Sequence, residues 1–261
     1  MYCNLDAGEV SRAAEIVARG IAQRRIGMNP RLHGVWVQHL SPETEEGPSV
    51  SDSDKELLVA GLLQNVGSPN APAPLDHLHG LVAEEIWLEI IAEKDWGLGP
   101  PIRVEGHDWS ATDPGGDGLT VHALKDGAFC FRLWESKYHG TALPIRETVN
   151  GACRQVKSRA TSYLSRFSLI AQRLTDDAAL AGFYGRLPEM WVDRDPAAGV
   201  GIVVGASEIG SDDNRFNGMP GYFELEPERH QGQLNTVGDF AVFAMHVRDI
   251  LWKGCALWIE R

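Results

Sequence analysis

Glu135 and Lys137 stand two residues apart at the end of a segment, 129–137, in which Phe129, Phe131 and Leu133 occupy every second position. A period of two is that of a strand, so all five side chains share one face, an apolar strip that ends in a carboxylate and an ammonium. Upstream, residues 117–124 alternate in the same way, with Asp117 at their head. Between the two segments lies Asp126-Gly127, a pair suited to a tight hairpin turn. Pairing about that turn is expected to bring Asp117 to the Glu135–Lys137 end. Two converging carboxylates repel, and a divalent cation removes that cost; oxygen ligands suit Mg²⁺ or Mn²⁺. An adjacent amine can orient an attacking water and offset charge on a phosphate.

A third carboxylate is expected from a helix over 79–93, which is apolar on nearly every side and therefore buried. Glu84 and Glu85 lie in its middle, where an unpaired carboxylate is costly. Glu84 shares its face with Gly80, Leu81, Leu88 and Ile91, and Glu85 with Leu78, Leu81, Leu88 and Glu89, so Glu84 reads as the drier of the two. The expected metal ligands are Glu84, with Glu85 as the alternative on that helix, Asp117 and Glu135; the expected catalytic residues are Asp117, Glu135 and Lys137.

The remaining elements follow from periodicity. Helices are expected at 11–25, 55–65, 145–173, 176–183 and 240–251, and short strands at 35–40 and 200–204. Residues 102–105 read as strand or loop, and 41–54 and 67–74 as loops. The order helix, strand, strand, helix, strand over 75–261 is that of an α/β domain with a mixed sheet, onto which a helical and loop region, 1–74, is expected to pack. His77 and His79 lack a third ligand nearby and read as cap or loop residues rather than zinc ligands. His107, His122 and His139 are isolated, and Asp108 and Asp113 suit a turn.

Composition narrows the function classes. A 43% apolar content excludes a disordered chain, and no apolar run reaches the ~18 residues of a membrane span. Four scattered cysteines without CxxC spacing argue against a zinc cluster or disulfide framework and for a reducing cytoplasm. No phosphate-binding Gly-x-x-x-x-Gly-Lys loop and no Gly-x-Ser-x-Gly elbow occurs. The net charge is −12, yet residues 125–173 carry +6 and the rest −18. A basic middle in an acidic chain suits contact with phosphates, with Arg154, Gln155 and Arg159 on the long helix as candidates.

Gly116-Asp117-Gly118, then Glu135-Ser136-Lys137 after seventeen residues, resembles the PD-(D/E)XK nuclease superfamily, with Pro114 displaced to three residues before the Asp. The resemblance implies a nuclease-like mixed central sheet flanked by helices, an Asp on its second strand, Glu-x-Lys on the third and a Glu on the first helix. More narrowly, the segments 79–84, 116–118 and 133–137 with the long helix resemble the HamA family, the nuclease subunits of Hachiman-type anti-phage defence. That implies a Mg²⁺-dependent deoxyribonuclease in the cytoplasm, restrained and released by a helicase partner of HamB type.

Overall fold

The structure is a computed structural model and describes residues 7–40, 51–64, 66–92, 97–106, 117–140, 142–207 and 214–257. Two units divide the chain, 1–86 with 236–261, and 87–235. The first is helical. α1 (Ala7–Ile26) buries Ala14, Val17, Ala18, Ile21 and Ala22 at spacings of three and four, and Arg24 and Arg25 close its last turn. α2 (Pro30–Leu40) occupies the segment whose Val-Trp-Val alternation suggests a strand at 35–40, and that expectation is corrected. Pro30 sets the first helical turn, and Leu32 and Trp36, four apart, bury one stripe. The Trp36 indole donates to the Leu251 carbonyl at 3.3 Å.

α3 (Asp52–Leu62) begins earlier than the polar segment suggests, because the Ser51 hydroxyl caps it by accepting from the Asp54 amide at 3.2 Å. Residues 41–50 of that segment lie outside the described residues. The expected loop at 67–74 contains a two-residue antiparallel ladder, β1 (Gly67–Ser68) with β2 (Ala71–Pro72). α4 (Leu75–Ile91) follows, and its last turn belongs to the second unit.

The second unit is a mixed five-stranded sheet flanked by helices. Its elements are β3 (Arg103–Gly106), β4 (Gly118–Ala123), β5 (Phe129–His139), α5 (Ile145–Leu174), α6 (Ala178–Gly185), α7 (Leu187–Val192), β6 (Ala198–Ser207) and all but the last two residues of β7 (His230–Val237). The order is β3-β4-β5-β6-β7, with β3, β4 and β5 antiparallel and β6 parallel to β5. The β4–β5 turn is built by Asp126 and Gly127. Gly127 takes a positive φ of 83°, Asp126 accepts from the Ala128 amide at 3.0 Å, and the Leu124 amide donates to the Ala128 carbonyl at 2.7 Å.

β5 is the central strand and is buried on both faces. Phe131 and Leu133 point to α5 and pack with Val149, Ala152, Val156, Ala160 and Leu164. Trp134, on the opposite face, packs with Trp87, Leu88, Ile91 and Val203. Glycine makes that second packing possible. A Cβ at Gly201 would meet the Trp134 ring at 2.1 Å, and one at Gly118 would meet the Trp87 ring at 2.2 Å. Each of these buried aromatic and aliphatic side chains contributes roughly 1.5–3 kcal/mol.

The last helix, α8 (Phe240–Gly254), is capped by Asp239 and packs on α1 and α2 within the first unit. Among the described residues no helix is long and apolar enough to cross a membrane.

Candidate functional site

The ladder pairs Gly118 with Trp134, so the next step sets Asp117 opposite Glu135. Opposed residues of an antiparallel pair share a face, which puts the Asp117, Glu135 and Lys137 side chains on the α5 side of the sheet. Two backbone bonds hold Asp117 there. Its amide donates to the Trp134 carbonyl at 2.9 Å, and its Oδ2 accepts from the Ser136 amide.

Glu135 is fully buried, and Lys137 Nζ stands 2.6 Å from its Oε1 while reaching partly to solvent. Burial pushes the Lys137 ammonium down, but Glu135, Asp117 and Tyr163 more than reverse this, and its pKa stands above the ordinary lysine value. It is therefore an ammonium at neutral pH, a donor and a positive charge.

Tyr163 was not among the expected site residues. It lies on α5, almost wholly buried, and its pKa is raised by burial and by Glu135, with Gln155 and Arg159 pulling the other way. Gln155, Arg159 and Tyr163 recur every four residues and so form one row of α5, of which Tyr163 stands close enough to Glu135 to feel its charge. The signal was available, since Tyr163 sits three residues after Ala160 inside the apolar stripe, where a phenol needs a reason to be. Arg146, Arg154, Lys157, Arg159 and Arg166 are exposed along the same helix.

The helix glutamates differ from expectation. Glu85, not Glu84, is the drier residue: it is 3% exposed and its carboxylate is gripped by the Arg24 guanidinium at 2.9 Å from Nε. Glu84 is half-buried. The physical reason is that Glu85 has a fixed cationic partner one helix away, which makes its burial tolerable. Both belong to the first unit, whereas Asp117, Glu135 and Lys137 belong to the second.

Among the described residues no three His, Cys, Asp or Glu side chains form a cage for a metal ion. The donor set of Asp117 and Glu135 nonetheless fits Mg²⁺, which is commonly held by one or two carboxylates with water completing its shell. Asp108, Asp113, Pro114 and His107 lie outside the described residues.

His122 and His139 are tied into the fold. His122 Nδ1 donates to the Gly99 carbonyl at 3.1 Å, which leaves Nε2 to accept from the Thr120 hydroxyl at 3.1 Å. His139 Nδ1 is bonded to Thr148 Oγ1 at 2.8 Å, and His79 is buried edge-on against Phe240 while His77 is exposed. No protein family, curated protein or solved structure compared with the chain matches it.

Proposed function

We propose that the chain is a Mg²⁺- or Mn²⁺-dependent deoxyribonuclease of PD-(D/E)XK type, acting as the effector of an anti-phage defence system under the control of a HamB-type helicase. The observation that carries this reading is the pairing of Asp117 with Glu135 across one strand register, with the Lys137 ammonium against the buried Glu135. A surface strand end has no reason to bury a carboxylate completely. Asp117 and Glu135 are the residues that would hold the cation, which supplies Lewis-acid polarisation and an activated water.

The chain's own residues do the rest. Lys137 Nζ orients the water and offsets the charge that builds on the phosphoryl oxygens as the new P–O bond forms and the bond to the leaving oxygen breaks. Gln155, Arg159 and the exposed basic residues of α5 seat the DNA backbone on the same side. The −18 carried outside 125–173 repels free DNA, which fits an enzyme that needs a partner to present its substrate.

The test is DNA cleavage by the purified full chain in Mg²⁺, alone and with a HamB-type helicase and ATP. Glu135→Ala with Lys137→Ala is expected to lower cutting by at least about 10³-fold, the loss seen when preorganised charge is removed. Undiminished cutting by that variant would end the proposal.

A second reading is a non-catalytic interaction subunit in which Lys137 simply neutralises a buried Glu135. The 2.6 Å ion pair favours it, because the amine is already engaged. That reading predicts no cleavage under either condition and an unchanged defence phenotype for Asp117→Ala.

A further inference from the structure

Glu135 is the more deeply buried of the two carboxylates assigned to the cation, and its burial has a consequence for how a cation reaches it. The residue is 0% exposed, and both carboxylate oxygens are buried. Lys137 Nζ stands 2.6 Å from Oε1, while the Lys137 side chain is 34% exposed. The amine therefore both touches the buried carboxylate and reaches water.

The neighbours of Glu135 on the other sides are dry. On β6, Ile202 lies beside Glu135 and Val204 beside Lys137 in the parallel register, and both are fully buried. From α5, Tyr163 feels the Glu135 charge and is almost wholly buried. Across the ladder on the β4 side, Asp117 is half-buried, and its Oδ2 accepts from the Ser136 amide. The wet end of the site is thus the end held by Lys137 and Asp117, and both carboxylates act on the ammonium there.

Mg²⁺ contacts its ligand oxygens at about 2.1 Å. An ammonium already seated on Oε1 excludes such a contact, by its volume and by its like charge. A buried carboxylate without a cation is costly, so Glu135 needs one positive group at all times, and Nζ and a metal ion are alternatives there. Lysine suits exchange of this kind. Its charge is a compact point on a flexible four-carbon stem, and part of that stem already lies in solvent, so Nζ can swing away without moving the strand.

We propose that in the free chain Lys137 Nζ holds the cation's place on Glu135, and that Asp117 and Glu135 take a divalent cation only when Nζ swings out toward solvent. The apparent metal affinity of the free chain is then lowered by the small fraction of molecules in which the amine is away. The displaced Nζ stays beside the site, where its role toward the water and the phosphoryl oxygens requires it. This inference rests on the metal-dependent reading above and adds a closed resting state to it. A chain closed in this way stays poor in metal until something draws the amine off, which suits an enzyme under a partner's control.

The test is calorimetric titration of the full chain with Mn²⁺ in the absence of DNA, joined to acetylation of its lysines read by peptide mass spectrometry. Lys137→Ala is expected to bind Mn²⁺ at least about tenfold more tightly than wild type, because the place is vacated. Adding Glu135→Gln to it is expected to remove that binding. In wild type, Mn²⁺ binding is expected to raise acetylation of Lys137 severalfold relative to the exposed Lys157, because Nζ is released to solvent. Should Lys137→Ala not fold, the wild-type labelling decides alone. Equal Mn²⁺ affinity in wild type and Lys137→Ala, or unchanged Lys137 acetylation in Mn²⁺-bound wild type, would overturn this inference and leave the metal-dependent reading standing. No Mn²⁺ binding by any form that folds, or undiminished binding after Glu135→Gln is added to Lys137→Ala, would end both.

Discussion

The two faces of β5 bury charge in opposite ways. On the α5 face a fully buried carboxylate, Glu135, has an ammonium 2.6 Å away, and Asp117 across the ladder is anchored by backbone amides. On the other face a buried guanidinium, Arg132, has an aromatic ring beneath it and hydrogen-bonding neighbours already committed elsewhere. Both strips come from one eleven-residue strand, and alternation alone separates them. The lesson is that net charge along a segment says little about what it meets. Arg132 counts toward the basic middle of the sequence, yet it is closed off behind the sheet while the basic residues of α5 stand in solvent.

Removing one partner from each face should therefore give unequal results. Lys137→Met leaves Glu135 buried without its ammonium and is expected to cost about 3 kcal/mol, at the low end for a broken buried pair because the amine reaches solvent. Denaturant unfolding measures this. Millimolar Mg²⁺ should recover much of the loss if Asp117 and Glu135 hold the cation, and should have no such effect on Glu135→Gln combined with Lys137→Met. A Lys137→Met variant as stable as wild type would break the contrast at its stronger side.

A smaller effect is expected from Gly201→Ala. The added methyl is driven into the Trp134 ring on the Arg132 face and should cost about 2 kcal/mol through overpacking. Combining it with Trp134→Leu, which vacates the space, should return most of that stability. A full cost in the double variant would mean that the glycine is required for backbone reasons instead.

The smallest effect is an acid limb. His139 on β5 and His230 at the start of β7, against Phe223, both have pKa values lowered by burial, His230 also by the charge of Arg132. The folded state then binds fewer protons than the unfolded one, so this stability is complete above the unfolded value of about 6.5 and is lost as pH falls below it. In phosphate-free buffer His139→Gln should flatten the decline between about pH 6.5 and 5, as followed by the unfolding midpoint. An unchanged slope in that variant would assign the limb to other groups.

Much of the second unit was legible. The Asp126-Gly127 turn, the alternation on either side of it and the 3.6-residue stripe of α5 are local signals, and each segment adopts the expected state. The face shared by Asp117, Glu135 and Lys137 follows from those same signals once the hairpin register is fixed. Segment 35–40 misled because two valines and a tryptophan alternate in a strand-like way, while the burial of Leu32 and Trp36 against helical neighbours decides for helix. β7 and α7 were not anticipated: β7 is largely polar with few apolar positions, and α7 is six residues long, too short for periodicity to register.

By itself the sequence determined the hairpin, its register and hence the set of side chains on each face of β5, because turn chemistry and a period of two are properties of neighbouring residues. Only the tertiary structure decided which charges are dry. Arg24 reaches Glu85 from 61 residues away and makes it, rather than Glu84, the buried acid. Tyr163 feels the Glu135 charge from another element, and Arg132 is covered on one side by β6, paired at Gly199, which the sequence places far from it. Burial and pairing depend on contacts between distant segments, and a period within one segment carries no information about what will cover it.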